Sequence, residues 1–559
     1  MPFAGTMKGI RADLRKHLLS LLPRPQDFTV MKHHWKGDIP AGITVGVVAL
    51  PLALAFGVSS GVGAAAGLVT AIIAGLVATI FGGSNLQVSG PTGAMVVIIA
   101  PLVVTHGAAA VPLLSVLAGV IVILGGVLGM GRAISLIPWP VIEGFTLGIA
   151  TIIALQQVPN ALGIEAPGGA NTLLATVEAF KIASWPEAAG PVFMTVATVL
   201  VIALIAKVLP KWPAQLIAVA VATIAVYAFS IHVPVIGALP EGLPAPTIPE
   251  ATPELIGQLM PGAIAVAILA GIESLLSARV AAGMVKGETY HPDRELVGQG
   301  LASVASGMFG GMPATGAMAR TAVNIKASGR TRLSVIIHAL FLLAVVYLAS
   351  GLVSQIPLAA LAGVLLVTAF NMVSFATARV ILASTKSDAL VFCLTAVTTV
   401  VLDLIWAIGV GVAVTGVLVL RHFAKQSGVY REDNPDRHRR IAILRIDGAM
   451  FFGVSDRIES EIPTLDSVDV VIIRLSRVGV MDATGAKALA DIVTKLREAG
   501  NVVYIKGLDP SLLDLANEVG VIDELGGPHH MFSTLDEALE RAHTIVAMKD
   551  RQRQTGHIV

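Results

Sequence analysis

Apolar positions in this chain come in unbroken blocks and not in stripes. Residues 38–420 are almost continuously apolar, whereas a surface helix of a soluble protein shows a polar face with a 3.6-residue period. A helix crossing a bilayer needs about 20 apolar residues. Stretches of that kind occur at 39–57, 63–80, 111–130, 141–158, 191–209, 213–231, 261–283, 333–350, 357–372, 388–401 and 404–420. Three more, 91–105, 295–308 and 319–326, are short or broken by glycine and proline. The pattern predicts an α-helical polytopic membrane protein of about fourteen elements. After residue 420 the pattern changes. Strand-like runs at 441–446, 468–475 and 502–506 alternate with helical ones at 484–499 and 536–547, which predicts a small α/β domain. The expected organisation is an N-terminal region 1–37, a membrane domain 38–420, a linker 421–438, an α/β domain 439–547 and a tail 548–559.

Composition excludes a soluble alternative for the long block. Hydrophobic residues make up 55% of the chain and charged ones 13%, roughly half the share of about 25% usual in soluble domains. Lipid is therefore the expected surrounding of the block. A net charge of +1 gives no nucleic-acid footprint. No GxGxxG, GxxxxGK or metal-spaced His/Cys set occurs in the α/β region, so neither enzyme activity, cofactor nor metal is expected. The single cysteine, Cys393, reads as a buried small hydrophobe. The first residues lack the apolar run and cleavage site of a secretory leader, so none is expected. Lys8, Arg11, Arg15, Lys16, Arg24, Lys32 and Lys36 precede the block, and RHFAK at 421–425 follows it. By the positive-inside rule both flanks, and with them the α/β domain, are expected on the cytoplasmic side of the inner (plasma) membrane.

The broken elements carry the candidate chemistry. Thr-Gly-Ala-Met occurs at 92–95 and again at 315–318, each copy downstream of a Phe-Gly-Gly triplet, at 81–83 and 309–311. Paired interrupted segments in two halves of a membrane domain point to a midplane binding site; small residues that let helices pack closely are the plainer reading. A helix beginning inside the membrane presents unpaired N–H groups and the positive end of its dipole, which suits an anion. Pro91 is expected in the first turn of such a helix, with Thr92 offering a hydroxyl and Gly90 and Gly93 admitting a ligand to the backbone. Arg320, in the uncharged stretch GMPATGAMARTAVNI, is a candidate cation for the same anion, or an arginine reaching the interface. Glu273, with Ser277 one turn later, is a candidate holder of a proton or a sodium ion, or a structural carboxylate. Arg279 reads as interfacial, and Glu143 and Asp403 as helix-end residues. Phe56 follows Pro51 on a kinked helix. In the α/β domain, Asp482 and Thr484 precede a helix and read as N-caps, with phosphorylation as the alternative for the threonine.

At these residues the chain resembles the sulfate permease (SulP) anion-transporter family. The resemblance is carried by GDIPAGITVGVVALPLALAFGVSSG, FGGSNLQVSGPTGAMVV and GIESLLSARVAAGMVKGETYHPDRELVGQGLASVASGMFGGMPATGAMARTAVNIKASGRTR, and the C-terminal part resembles a STAS domain. It implies fourteen segments in a 7+7 inverted repeat, a mobile core and a gate domain, and commonly a homodimer. It implies an anion held between the starts of the third and tenth segments, at Phe56, Thr92, Gly93, Ala319 and Arg320, and an ion-coupling position at Glu273 and Ser277. Cyanobacterial bicarbonate carriers of the family have an aspartate and a threonine at those last two positions and lack an arginine at the place of Arg320. A glutamate here is similar to the proton-coupled members that carry sulfate or dicarboxylates. Thr484 matches the serine phosphorylated in STAS relatives. The resulting expectation is a proton-coupled symporter of small anions with an elevator-like core. An uncoupled exchanger or channel, a sodium-coupled bicarbonate symporter and a membrane sensor feeding the STAS domain are the other readings.

Overall fold

The computed structural model describes residues 17–132, 138–164, 172–210, 212–229, 231, 233–237, 239, 242–401, 404–432, 434–435, 438–451, 465 and 468–555. Lys8, Arg11, Arg15, Lys16 and Asp403 lie outside the described residues, and the side chains of 422–426 are likewise not described. The chain divides into two compact units, Met1–Val412 and Ala413–Val559.

Every predicted apolar stretch of residues 38–420 has become a helix, with further short ones among them. They are α1 (Met31–Ser59), α2 (Ala64–Phe81), α3 (Gly93–His106), α4 (Val111–Val127), α5 (Trp139–Gln156), α6 (Thr172–Ile182), α7 (Trp185–Val208), α8 (Ala214–Phe229), α9 (Pro253–Met284), α10 (Pro292–Met308), α11 (Met318–Lys326), α12 (Arg332–Val353), α13 (Leu358–Met372), α14 (Phe375–Ala383), α15 (Lys386–Val401) and α16 (Leu404–Gln426). The sequence pattern did not separate α6 and α14, which are short and carry few buried positions. Among the described residues, eight helices are long and apolar enough to cross a membrane. Arg279 is exposed near the end of α9, and Glu143 accepts a hydrogen bond from Trp139 Nε1 at 3.1 Å in the first turns of α5. Cys393 is exposed on α15 and not buried: it faces outward from a helix whose apolar outer side needs no protein partner in lipid.

Glycine sets how closely these helices approach. A methyl group on Gly119 would lie 2.6 Å from the Gly300 carbonyl oxygen, and one on Gly300 would lie 2.5 Å from that of Gly119. The backbones of α4 and α10 are thus in direct contact, as small residues allow where no hydrophobic effect drives association.

Two of the helices too short to cross begin at the interrupted segments. At about 1.5 Å per residue, α3 and α11 reach well short of a hydrocarbon core of about 30 Å. Each is preceded by an extended pair, β1 (Ser89–Gly90) and β2 (Thr315–Gly316). These pair antiparallel, Ser89 opposite Gly316 and Gly90 opposite Thr315. Extended backbone within a membrane domain must find partners inside the protein; here the two interruptions satisfy each other. The two copies of the repeated tetrapeptide therefore start from one ribbon.

The second unit is a five-stranded sheet, β3 (Gly428–Glu432), β4 (Ile441–Met450), β5 (Val470–Met481), β6 (Val502–Lys506) and β7 (Met531–Phe532), in that order. The β3–β4 pair is antiparallel and the rest are parallel. Helices α17 (Ala483–Glu498), α18 (Pro510–Glu518), α19 (Val521–Leu525) and α20 (Leu535–Thr555) complete it. The span 421–438, read as a linker, contains the end of α16 and strand β3, and α20 continues through most of the expected tail. Strand β3 was hidden because its charged residues, Arg431 and Glu432, mask the β pattern.

Candidate functional site

The paired ribbon brings the two half-helices to one place. Thr92 is the N-cap of α3, with extended backbone, and its side chain makes no capping bond. Ala317 holds the same position before α11 and has no side chain able to cap. Both helices therefore present first-turn N–H groups without a side-chain acceptor. Pro91 stands one residue before the cap and not in the first turn as expected. Its carbonyl does other work, accepting a hydrogen bond from Arg320 Nη2 at 2.5 Å.

The hydroxyl of Thr92 turns away from its own helix. Thr92 Oγ1 donates to Glu273 Oε2 at 3.0 Å, and Thr315 Oγ1 donates to the same oxygen at 2.7 Å. The first residue of each Thr-Gly-Ala-Met copy is thus bound to one and the same carboxylate, Glu273 of α9. Thr315 was not singled out from the sequence, although its equivalence to Thr92 in the repeat is the signal that would have found it. The neighbouring Ser274 Oγ accepts from Gly316 N at 3.0 Å, fixing β2 against α9.

Arg320 is buried on the first turn of α11. One arm spans to the other half through Pro91, while Nη1 is buried without a partner among the described residues. Arg320 and Glu273 form no ion pair among the described residues, yet each lies in the other's field. Ala319, the residue before, is exposed.

The glycines play a role different from the expected one. A methyl group at Gly90 would lie 2.7 Å from Arg320 Nη1, and one at Gly93 would lie 2.3 Å from Ile153 Cδ1 and 3.2 Å from Phe56 Cε1. The space beside them holds the guanidinium and two core side chains, so they admit protein groups to the backbone. Phe56 is buried and packs against Gly93 at the start of α3. Ser277 is drawn elsewhere: its Oγ lies 3.3 Å from Thr321 Oγ1, which in turn accepts from Val88 N at 3.0 Å. That chain ties α9 and α11 to the approach to β1, and Ser277 does not join Glu273.

A second buried network holds the ribbon's approach. Glu295 accepts from Gly83 N and Ser84 N, both at 2.8 Å, and from Gln87 Nε2 at 2.9 Å. Arg332 donates to Asn85 Oδ1 at 3.0 Å, to the Gly82 carbonyl at 2.8 Å and to the Thr79 carbonyl. Asp38 accepts from Arg330 N at 2.7 Å, from Thr331 N at 3.2 Å and from the Thr331 hydroxyl. In the second unit, Asp482 Oδ1 caps α17 through Gly485 N at 2.8 Å. Thr484 lies inside that helix, exposed, and is not a cap.

The architecture and this interior define a polytopic membrane protein with two facing half-helices and an attached α/β domain. Comparison with known proteins places it further. Residues 35–395 match the Sulfate permease family and residues 434–538 match the STAS domain. The chain is 34% identical over 516 residues to the putative sulfate transporter YvdB of Bacillus subtilis (strain 168), covering 89% of this chain and 96% of that one. It is 32% identical over 502 residues to the bicarbonate transporter BicA of Synechocystis, covering 84% and 88%. The solved transmembrane domain of a cyanobacterial BicA superposes with a TM-score of 0.62 at 33% identity, over 67% of this chain and 97% of that one. Murine Slc26a9, an anion transporter, shares the fold at a TM-score of 0.82 and 17% identity, with 94% of each chain covered. The chain belongs to the sulfate permease family, with a C-terminal STAS domain. It is a membrane transporter and not an enzyme.

Proposed function

We propose that this protein is a proton-coupled symporter of small anions, with sulfate, bicarbonate and C4-dicarboxylates as the candidate substrate classes. The observation that carries the reading is the pairing of a buried, half-satisfied Arg320 with two uncapped helix starts. A guanidinium arm without a partner is a costly burial, and an anion between α3 and α11 would complete it while accepting from first-turn N–H groups. Thr92, Gly93, Ala319 and Phe56 would line that space. The named activities of the relatives, a sulfate transporter and a bicarbonate transporter, fit this chemistry.

Glu273 would carry the proton. Both threonine hydroxyls donate to its Oε2, which leaves Oε1 as the place for a proton. The carboxylate thereby connects to both half-helices, so a change in its charge acts on the same groups that frame the anion. In this reading the two half-helices move as part of a core that slides past a gate domain in an elevator-like cycle. The protein would work as a homodimer in the plasma membrane with its N-terminus and STAS domain cytoplasmic. The STAS domain would be regulatory, with the exposed Thr484 as its modifiable hydroxyl.

Uptake of radiolabelled sulfate, bicarbonate and a C4-dicarboxylate into proteoliposomes, with and without an inward proton gradient, tests the reading. Wild-type uptake of one of them is expected to accelerate with the gradient. Glu273→Gln is expected to keep anion exchange and lose that acceleration. Proton dependence unchanged in Glu273→Gln would overturn the coupling role, and a sodium requirement in its place would favour a sodium symporter.

A further inference from the structure

One buried group beside the proposed site has no part in that mechanism. His338 stands on α12, fully buried, and neither Nδ1 nor Nε2 has a hydrogen-bond partner among the described residues. Leaving a buried polar atom unpaired carries its full desolvation penalty, so packing by itself is a poor reason for a histidine here; a leucine would fill a helix seam without that cost.

Its surroundings point to a reason. A methyl group built on Gly75 would lie 3.9 Å from both Cε1 and Nδ1 of His338 and 3.6 Å from the Ser89 carbonyl oxygen. One turn earlier on α2, the Cα of Ala71 and Nη1 of Arg320 flank Gly90. The imidazole and the guanidinium thus lie along one face of α2 and beside consecutive residues of β1. Arg320 is also the charged group whose field reaches the ring. Two unpaired buried groups therefore stand one turn apart along α2: Nη1 of Arg320, which only donates, and an imidazole, which in its neutral form carries one accepting nitrogen.

We propose that His338 is a positioning residue for the anion site, its accepting nitrogen taking the free Nη1 of Arg320 through one buried water, and so aiming the guanidinium at the ends of α3 and α11. The water route is chemically sound, because a buried water typically makes about three hydrogen bonds and Nη1, the imidazole and the Ser89 carbonyl supply three polar groups. The inference rests on the reading of Arg320 as the anion's cation. It adds that the arginine is held by a residue of a different helix, α12.

The test is a double-mutant cycle on the full chain in proteoliposomes, using radiolabelled sulfate and bicarbonate as probes. The proteins are wild type, His338→Leu, His338→Gln, His338→Asn, Arg320→Lys and the double variants Arg320→Lys/His338→Leu and Arg320→Lys/His338→Gln. His338→Leu is expected to raise KM about tenfold, equivalent to about 1.4 kcal/mol of lost binding, with the maximal rate little changed. At least one of the amides, which place an acceptor near Nδ1 (Asn) or Nε2 (Gln), is expected to restore KM. In the Arg320→Lys background, where Nη1 no longer exists, the same histidine changes are expected to add nothing. A wild-type KM in His338→Leu, or effects that add fully in the double variant, would overturn the proposal. Should His338→Leu fail to fold, the cycle built on His338→Phe, which keeps a ring but has no accepting nitrogen, decides by the same criterion. Failure of the underlying reading looks different: wild type would take up neither probe, or Arg320→Lys would have the wild-type KM.

Discussion

At the scale of single residues, the candidate site is built from departures from ordinary local rules. Thr92 occupies a capping position but donates its hydroxyl to Glu273, and Thr315 does the same from the other half. Replacing either by valine removes a hydrogen bond to a charged group, worth about 1.5–3 kcal/mol. The proposed coupling then predicts weaker proton stimulation of uptake in Thr92→Val and Thr315→Val, read as the ratio of rates with and without the gradient. Gly90 gives a sharper prediction. Its missing side chain is where Nη1 of Arg320 lies, so Gly90→Ala should displace the guanidinium and raise KM about tenfold while the protein still folds and inserts. Much of this was legible in the sequence. Thr92, Gly93, Glu273 and Arg320 could be singled out because a repeated tetrapeptide and two isolated charges in apolar surroundings are rare enough to read; Phe56 came from the family resemblance. Helical spacing puts Ser277 on the face of Glu273, whereas its hydrogen-bond neighbour, Thr321, comes from a helix that spacing on α9 could not reveal. His338 was invisible for a related reason: a histidine in an apolar helix is unremarkable until its neighbours are known.

At the scale of elements, glycine placement decides which contacts tolerate a side chain. Gly119 of α4 touches the backbone of α10, whereas a methyl on Gly125 of the same helix would find its nearest neighbour, Met130 Sδ, at 3.9 Å. Gly119→Leu should therefore prevent the α4–α10 pairing and yield aggregated protein on gel filtration in detergent, and Gly125→Leu should elute as wild type. In the second unit, Asp482 caps α17 through the Gly485 N–H. Its replacement by alanine should cost about 1 kcal/mol, seen in calorimetry of the full chain as a lower unfolding temperature for the soluble unit. The helices were legible from the sequence because their blocks are long and uninterrupted. The ribbon of β1 and β2 was not, since two-residue strands carry no period; only the glycine–proline interruptions marked where regular structure had to stop.

At the scale of the whole molecule, the chain is two units with separate cores. Every residue assigned to the proposed anion and proton sites lies in the first. A chain ending at Ser427 should therefore transport with an unchanged KM, any effect appearing in the maximal rate; a changed KM would mean that the STAS domain acts on the site itself. The central claim is that Arg320, between two half-helix starts, binds the transported anion. Its most direct test is the concentration dependence of radiolabelled sulfate and bicarbonate uptake by wild type and Arg320→Ala in proteoliposomes of equal protein content. The account predicts that the anion wild type carries is handled by Arg320→Ala with at least about a tenfold loss of apparent affinity, or about 1.4 kcal/mol; an unaltered affinity in Arg320→Ala would contradict it.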